Sequence, residues 1–244
     1  MLKAVIFDMG STLIEFENHS WDVLGKMGTA SGYEFLKRQN ISLPEYNVFE
    51  AMLVRKLEQR LSSIKENLKE IKFEEVVFPF FEELKISTED GKSSNFLYEY
   101  YKPITQQATL IEDAVEILSS LKEEGLKVGL ISNTIFPGDY HRDELKRFGL
   151  YPFLEISLFS CEFGYRKPHP EIYLECLKKL KIEAEEAVFV GDRLIEDVAG
   201  PKSLGMKAIL KYKEGRDYSL PIQPDAKVHS LTQLPQAIRN LKWD

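Results

Sequence analysis

The sequence is poor in cysteine and in basic charge, and each shortage excludes a class of protein. It has two cysteines, Cys161 and Cys176, among 244 residues. That is too few for a disulfide framework or a thiolate zinc site, so we expect free thiols in a reducing compartment. Acidic residues outnumber basic ones by 39 to 32, for a net charge of −7. This balance argues against nucleic acid as the partner, because binding a phosphate backbone needs a basic surface.

Long apolar runs are also lacking. Near the N-terminus the apolar run Ala4–Phe7 is ended by Asp8, whereas a signal peptide needs at least about 7 apolar residues and a membrane-spanning helix about 18. We therefore predict a cytoplasmic protein without a membrane partner. Hydrophobic residues make up 43% and charged residues 29% of the chain, which is typical of a globular protein.

Short apolar runs that end in polar residues predict buried parallel strands. They cover residues 3–7, 127–131, 155–159, 187–190 and 206–210. Helical patterns alternate with them, as in the apolar series at Ala114, Ile117, Leu118 and Leu121. This alternation predicts an α/β fold with a Rossmann-like parallel sheet and helices on both faces.

Residues 16–106 show no strand pattern and predict an inserted helical domain. Apolar residues spaced by three and four indicate one amphipathic helix there, and they are Val54, Leu57, Leu61, Ile64, Leu68 and Ile71. We expect this stripe to form the core of a small helical bundle, and a coiled-coil face is the alternative. Pro44, Pro79 and Pro103 predict breaks between helices. The predicted α/β core then comprises residues 1–15 and 107–244.

Polar residues follow each of the first four predicted core strands. They are Asp8, the pair Ser132 and Asn133, Lys167 in a loop, and Asp192 with Asp197 five positions on. In an open α/β sheet, ligands bind at the carboxyl ends of the strands. Two convergent carboxylates suit Mg²⁺, and a lysine with backbone N–H groups suits phosphate oxygens. We therefore expect a small phosphorylated molecule as the partner.

This order of motifs resembles the haloacid dehalogenase superfamily, whose members are mostly Mg²⁺-dependent phosphatases. The family pattern is an hhhhDxDxT motif, a strand ending in Ser or Thr, a Lys-Pro pair and a GDxxxxD motif. Here these read Ile6-Phe7-Asp8-Met9-Gly10-Ser11-Thr12, Leu130-Ile131-Ser132, Lys167-Pro168 and Gly191-Asp192-Arg193-Leu194-Ile195-Glu196-Asp197. The resemblance covers residues 1–14 and roughly 108–244. Residues 16–106 match the family's helical cap in position, length and helical character.

The resemblance implies a role for each motif residue. Asp8 is the expected nucleophile, which forms an aspartyl-phosphate, and Ser132 and Lys167 are the other expected catalytic residues. Ser132, Asn133 and Lys167 are expected to bind the phosphoryl oxygens. The expected ligands of Mg²⁺ are Asp8, the Gly10 carbonyl and Asp192. Asp197 is expected to orient Lys167 or a water on the metal.

One position departs from the family pattern. Phosphatases of the family carry a second aspartate two residues after the nucleophile, which acts as general acid and base, and Gly10 stands there instead. Three interpretations remain open: a phosphatase with another proton donor, such as Ser11, Glu15 or a cap residue; a metal-independent 2-haloacid dehalogenase; or a weak or silent phosphate-binding regulatory protein. The intact Gly191-Asp192 pair argues against the second, and the retained Asp8, Ser132 and Lys167 argue against the third.

Overall fold

A computed structural model describes residues 1–88 and 91–243, apart from the side chains of residues 63–66. The chain divides into two compact units. The first comprises Met1–Glu15, Thr109–Thr134 and the residues from Gly138 onward, and the second comprises Phe16–Ala108 together with Ile135–Pro137.

Eight strands are found among the described residues. In chain order they are β1 (Ala4–Phe7), β2 (Ile14–Glu15), β3 (Thr109–Leu110), β4 (Lys127–Ser132), β5 (Ile156–Phe159), β6 (Ala187–Gly191), β7 (Lys207–Lys211) and β8 (Ala226–Val228). Six of them form one parallel sheet in the order β5-β4-β1-β6-β7-β8. The other two, β2 and β3, pair antiparallel. The predicted parallel α/β sheet is confirmed.

The parallel sheet places the ends of distant segments side by side. β1 lies at its centre, and all four of its residues are buried. Its neighbours are β4 and β6, with Phe7 paired to Leu130 on one side and Val190 on the other. Because the strands are parallel, their carboxyl ends meet at one edge of the sheet. Asp8, Ser132 and Asp192 therefore lie at that edge.

Ten α-helices accompany the strands in the described part of the chain. They are α1 (Trp21–Arg38), α2 (Tyr46–Asn67), α3 (Glu74–Glu83), α4 (Lys92–Gln107), α5 (Ala114–Glu123), α6 (Gly138–Arg147), α7 (Ser160–Phe163), α8 (Pro170–Leu180), α9 (Gly200–Lys202) and α10 (Leu234–Asn240). A π-helical turn covers Leu194–Ala199. No helix among the described residues is both long and apolar enough to cross a bilayer.

The core of the first unit is formed by the central strands and by α8. Pro170 occupies the first turn of α8, where a missing N–H costs nothing, and Lys181 ends the helix in a left-handed conformation. One face of α8 then buries Tyr173, Cys176 and Leu177 in the same cluster as the sheet residues Ile6 and Phe189.

The core of the second unit is aromatic. Phe49, Phe80, Phe81 and Phe96 are fully buried, and neighbouring rings meet mostly edge to face, as for Phe49 and Phe80 at 4.8 Å between centroids. Such edge-to-face pairs follow from the charge distribution of the rings and stabilise beyond the area they bury.

Residues Ile135–Pro137 depart from the predicted boundaries, which assigned them to the α/β core. The Phe136 ring lies 5.2 Å from that of Phe73 and 4.7 Å from that of Tyr101. The Phe73 N–H also donates to the Ile135 carbonyl at 2.8 Å. These contacts place the segment in the second unit, although it directly follows the β4 motif.

The predicted helix across residues 54–71 is partly wrong. α2 ends at Asn67, and Leu68 adopts a left-handed φ of 57°, so Leu68 and Ile71 lie beyond the helix. Within α2, Val54 and Leu61 are exposed, whereas Phe49 and Leu53 form the buried face. The Ile64 side chain lies outside the described residues.

Two of the predicted helix breaks are also wrong, because Pro79 lies inside α3 and Pro103 inside α4. Pro79 lies near the middle of α3, and Pro103 lies in the C-terminal half of α4. The buried aromatic neighbours of these helices outweigh the local cost of a proline, since tertiary packing supplies most helical stability.

Candidate active site

The centre of the site is a lysine between two carboxylates. The Lys167 Nζ donates to Asp8 Oδ1 and to Asp197 Oδ1, both at 2.7 Å. Lys167 is 2% exposed and Asp197 is fully buried. Burial alone would lower the pKa of Lys167, but the charges of Asp197 and Asp8 outweigh it and raise the pKa above its usual value. The lysine therefore stays a cation.

The backbone of Lys167 is held by the motif that ends β4. The Asn133 Nδ2 donates to the Lys167 carbonyl at 2.9 Å, and the Lys167 N–H donates to Asn133 Oδ1 at 2.7 Å. This pair of bonds joins two segments 34 residues apart. Ser132, immediately before Asn133, is buried at the end of β4.

The position of the Asp197 carboxylate accounts for the glycine at position 191. Asp197 Oδ2 accepts the Arg193 N–H at 2.9 Å, so both of its oxygens are engaged. A Cβ at Gly191 would lie 2.4 Å from the Asp197 carboxyl carbon. Only glycine at position 191 leaves room for Asp197, and this accounts for the glycine that precedes Asp192.

Asp192, which follows β6, is the most unusual carboxylate of the site. It is 1% exposed, and neither of its oxygens accepts a hydrogen bond from any residue in the described part of the chain. Its Oδ2 lies 2.5 Å from the Arg216 Nε in an ion pair. Burial and the nearby charge of Asp8 raise the pKa of Asp192 to about 7.

Three buried carboxylates therefore gather at the sheet edge. Oxygens of Asp8, Asp192 and Asp197 lie within 4.8 Å of one another. Burial raises the pKa of Asp8, against the opposing effect of Lys167. Oxygens of this kind are the ligands that Mg²⁺ prefers. Because the Asp192 oxygens accept no hydrogen bond from the described residues while those of Asp8 and Asp197 accept two each, Asp192 is the carboxylate most available to a metal ion.

The loop after β1 is tied to the segment that follows β7. Thr12 Oγ1 donates to Asp8 Oδ2 at 3.3 Å. The Lys213 Nζ donates to Ser11 Oγ at 2.7 Å and to both carboxylate oxygens of Glu15 at 2.9 Å. Ser11 and Glu15, two of the candidate replacements for the missing acid, are thus joined to Lys213, a residue outside the sequence motifs.

The sequence motifs did not predict three basic residues near the site. Lys211 ends β7, and Lys213 and Arg216 follow it. Arg216 contacts Asp192, while Lys211 and Lys213 contact Ser11. A signal was present, because basic residues after a fifth predicted strand belong to the same sheet edge as the other motifs.

Comparison with known proteins is consistent with this geometry. A family model described as haloacid dehalogenase-like hydrolase matches residues 2–205. A glyceraldehyde 3-phosphate phosphatase from Methanocaldococcus jannaschii is 37% identical over 136 residues, which cover 53% of this chain and 57% of that protein. The chain thus spans little more than half the length of this curated relative.

Two solved structures share the fold across nearly the whole chain. A 2-haloacid dehalogenase from Pseudomonas syringae pv. Tomato DC3000 has a TM-score of 0.73 at 23% identity, and the match covers 98% of this chain and 99% of that one. A HAD phosphatase from Thermococcus onnurineus has a TM-score of 0.65 at 24% identity, with both chains fully covered. At these identities the likeness concerns the fold alone.

Proposed function

Because the chain belongs to the haloacid dehalogenase-like hydrolase family, we propose that it is a Mg²⁺-dependent phosphatase of small phosphomonoesters. The observation that carries this proposal is the pair Asp8 and Asp192, two buried carboxylates beside a buried lysine. A relative named as a glyceraldehyde 3-phosphate phosphatase supports a small sugar phosphate as substrate.

In the proposed reaction, an oxygen of Asp8 attacks the phosphorus atom of the ester. A bond forms between Asp8 and phosphorus, and the ester P–O bond breaks, with its electron pair leaving on the alcohol oxygen. Water then attacks the aspartyl-phosphate, which releases phosphate and restores Asp8. Lys167 is kept a cation by Asp197 and Asp8, and its backbone is held by Asn133. It keeps Asp8 in position and balances the charge of the phosphoryl oxygens.

The donor set fits the metal ion that this family uses. Asp8, the Gly10 carbonyl and Asp192 would hold Mg²⁺, and the Asp192 oxygens, which accept no hydrogen bond within the described part of the chain, are the feature that fits it. When bound, the ion neutralises charge on the carboxylates and on the phosphoryl group. Ser132 and the Asn133 N–H are proposed to bind the remaining phosphoryl oxygens.

Gly10 supplies no side chain to protonate the leaving oxygen. We therefore expect aryl phosphates, whose leaving groups need no proton, to react well, and alkyl or sugar phosphates to depend strongly on leaving-group pKa. A rate independent of leaving-group pKa would show that another donor, with Ser11, Glu15 and Lys213 as the nearest candidates, replaces the aspartate.

The deciding experiment measures phosphate release from a panel of sugar and aryl phosphates, with and without Mg²⁺. Wild type should release phosphate only with Mg²⁺, and Asp8→Asn should release none while it remains folded. Halide release from 2-haloacids without metal would instead identify a dehalogenase. If neither phosphate nor halide is released and inorganic phosphate stabilises the chain against thermal unfolding, the chain is a binding protein.

A further inference from the structure

Ser11 directly follows the proposed metal-ligating carbonyl and has an unusual backbone. Its φ is 57°, in the left-handed region, and it is 2% exposed. Residues with a Cβ are disfavoured in that region. An L-residue keeps such a conformation only where its surroundings hold it there.

Both peptide groups that flank Ser11 are held by hydrogen bonds. On one side, the Ser11 N–H donates to the Ile14 carbonyl at 2.7 Å. On the other side, the Lys211 Nζ donates to the Ser11 carbonyl at 2.8 Å. The two dihedral angles φ and ψ of Ser11 together relate these two peptide planes, so holding both planes restrains φ as well as ψ.

The first of these planes also carries the Gly10 carbonyl. In a trans peptide the C=O and the following N–H point in opposite directions. Since the Ser11 N–H points at Ile14, the Gly10 C=O points away from Ile14. Release of Ser11 from its left-handed φ would turn this carbonyl.

Lys211 is the unexpected member of this arrangement. It ends β7, is 7% exposed, and is separated from Ser11 by 200 residues. Burying an ammonium group is costly unless it is paired, and the Lys211 ammonium donates a hydrogen bond to the Ser11 carbonyl. Lys213 adds a second bond from the same segment, to Ser11 Oγ at 2.7 Å.

We propose that Lys211, assisted by Lys213, is a positioning residue that holds Ser11 left-handed and thereby aims the Gly10 carbonyl at the metal ion. This inference rests on the proposed function, since it assumes the Gly10 carbonyl as a ligand. The inference gives the end of β7 a role in positioning the metal site, and none of the four motifs includes residues of β7.

The direction in which Mg²⁺ affinity changes when Lys211 is replaced separates a positioning role from a purely electrostatic one. The charge of Asp192 acts on Lys211, and removal of a positive charge there by itself strengthens Mg²⁺ binding. If Lys211 positions the carbonyl, Lys211→Met should instead weaken Mg²⁺ binding by about five- to tenfold in calorimetric titrations. The matched control is Lys207→Met, at the opposite end of the same strand, which should bind Mg²⁺ as wild type does.

A second pair of variants carries no charge change. Glycine adopts the left-handed region at no cost and alanine does not, so Ser11→Gly should keep Mg²⁺ affinity within about twofold while Ser11→Ala loses more. Circular dichroism and thermal unfolding verify that each variant is folded. If Lys211→Met misfolds, this pair decides the question.

The outcomes are distinguishable from failure of the proposed function. Wild-type or tighter Mg²⁺ binding by Lys211→Met, or equal losses in Ser11→Gly and Ser11→Ala, overturns the positioning role and leaves the phosphatase proposal standing. A wild-type chain that binds no Mg²⁺ overturns both the metal site and this inference.

Discussion

At the residue scale, Gly10 determines how strongly the rate should depend on the leaving group. General acid catalysis is worth about 10²–10⁴ in rate. Gly10→Asp should therefore raise kcat for alkyl phosphates by about tenfold or more and leave aryl phosphates nearly unchanged. The measurement is steady-state phosphate release for both substrate types.

The double variant Gly10→Asp with Asp8→Asn is the control, and it should be inactive toward both substrates. An equal gain for alkyl and aryl phosphates would contradict the missing-acid argument. The backbone carbonyl of position 10 remains in Gly10→Asp, so this substitution removes none of the proposed Mg²⁺ ligands.

The elevated pKa of Asp192 gives a pH dependence with a definite sign. Its pKa is about 7 in the folded chain, against about 3.9 in an unfolded one. The folded state binds this proton more tightly, so the contribution to stability is full below about pH 4 and is lost as the pH rises to about 7. In a chelating buffer, the free energy of unfolding of wild type relative to Asp192→Asn should fall across that window.

Denaturant unfolding at a series of pH values measures this difference. Asparagine keeps the shape of the side chain and removes its titration, so it is the matched variant. Parallel profiles for the two proteins would show that Arg216, which lowers the pKa of Asp192, neutralises the carboxylate fully. Added Mg²⁺ should compete with the proton and stabilise wild type more at high pH than at low pH.

At the element scale, α2 shows that an apolar pattern does not identify its own buried face. Leu53 is 2% exposed, and its neighbour Val54 is 41% exposed. Leu53→Ala should cost about 2–5 kcal/mol in unfolding free energy, and Val54→Ala should stay within about 0.5 kcal/mol. Denaturant melts of the two variants, side by side, test the assignment. A comparable loss in Val54→Ala would mean that a partner covers this face.

The strands were predictable for a reason that α2 lacks. Strands β1, β4 and β6 are buried on both faces, so nearly every residue is apolar and the run itself marks the element. β8 escaped prediction because it has three residues and includes Lys227. The helical positions of the prolines in α3 and α4 were not predicted, because these helices are stabilised by packing against aromatic residues that are distant in sequence.

The site was predictable in its positions but not in its contacts. Motif residues fall at strand ends, and a parallel sheet brings those ends together. The bonds from Asn133 to the Lys167 backbone and from Lys211 to Ser11 join residues 34 and 200 positions apart. Such pairings depend on the register of the sheet and on loop paths, which leave no periodic trace in the sequence.

At the scale of the whole molecule, the two units have separate cores of different chemistry. Aliphatic strands and α8 form the first, and packed phenylalanines form the second. Every proposed metal and phosphate ligand belongs to the first unit. We propose that residues 16–106 act as the cap that selects the substrate, and that Ile135–Pro137 contributes to it.

Mg²⁺ should therefore stabilise the two units unequally. A ligand that binds only the folded first unit stabilises it by about 2.7 kcal/mol at one hundred times its Kd. Hydrogen exchange with and without Mg²⁺ should show slower exchange in β1 and β6, and little change in α1 and α4. Asp192→Asn should abolish the effect in β1 and β6. Equal protection of α1 and α4 in wild type would show that both units unfold as one cooperative block, since the binding energy would then stabilise residues that touch no ligand.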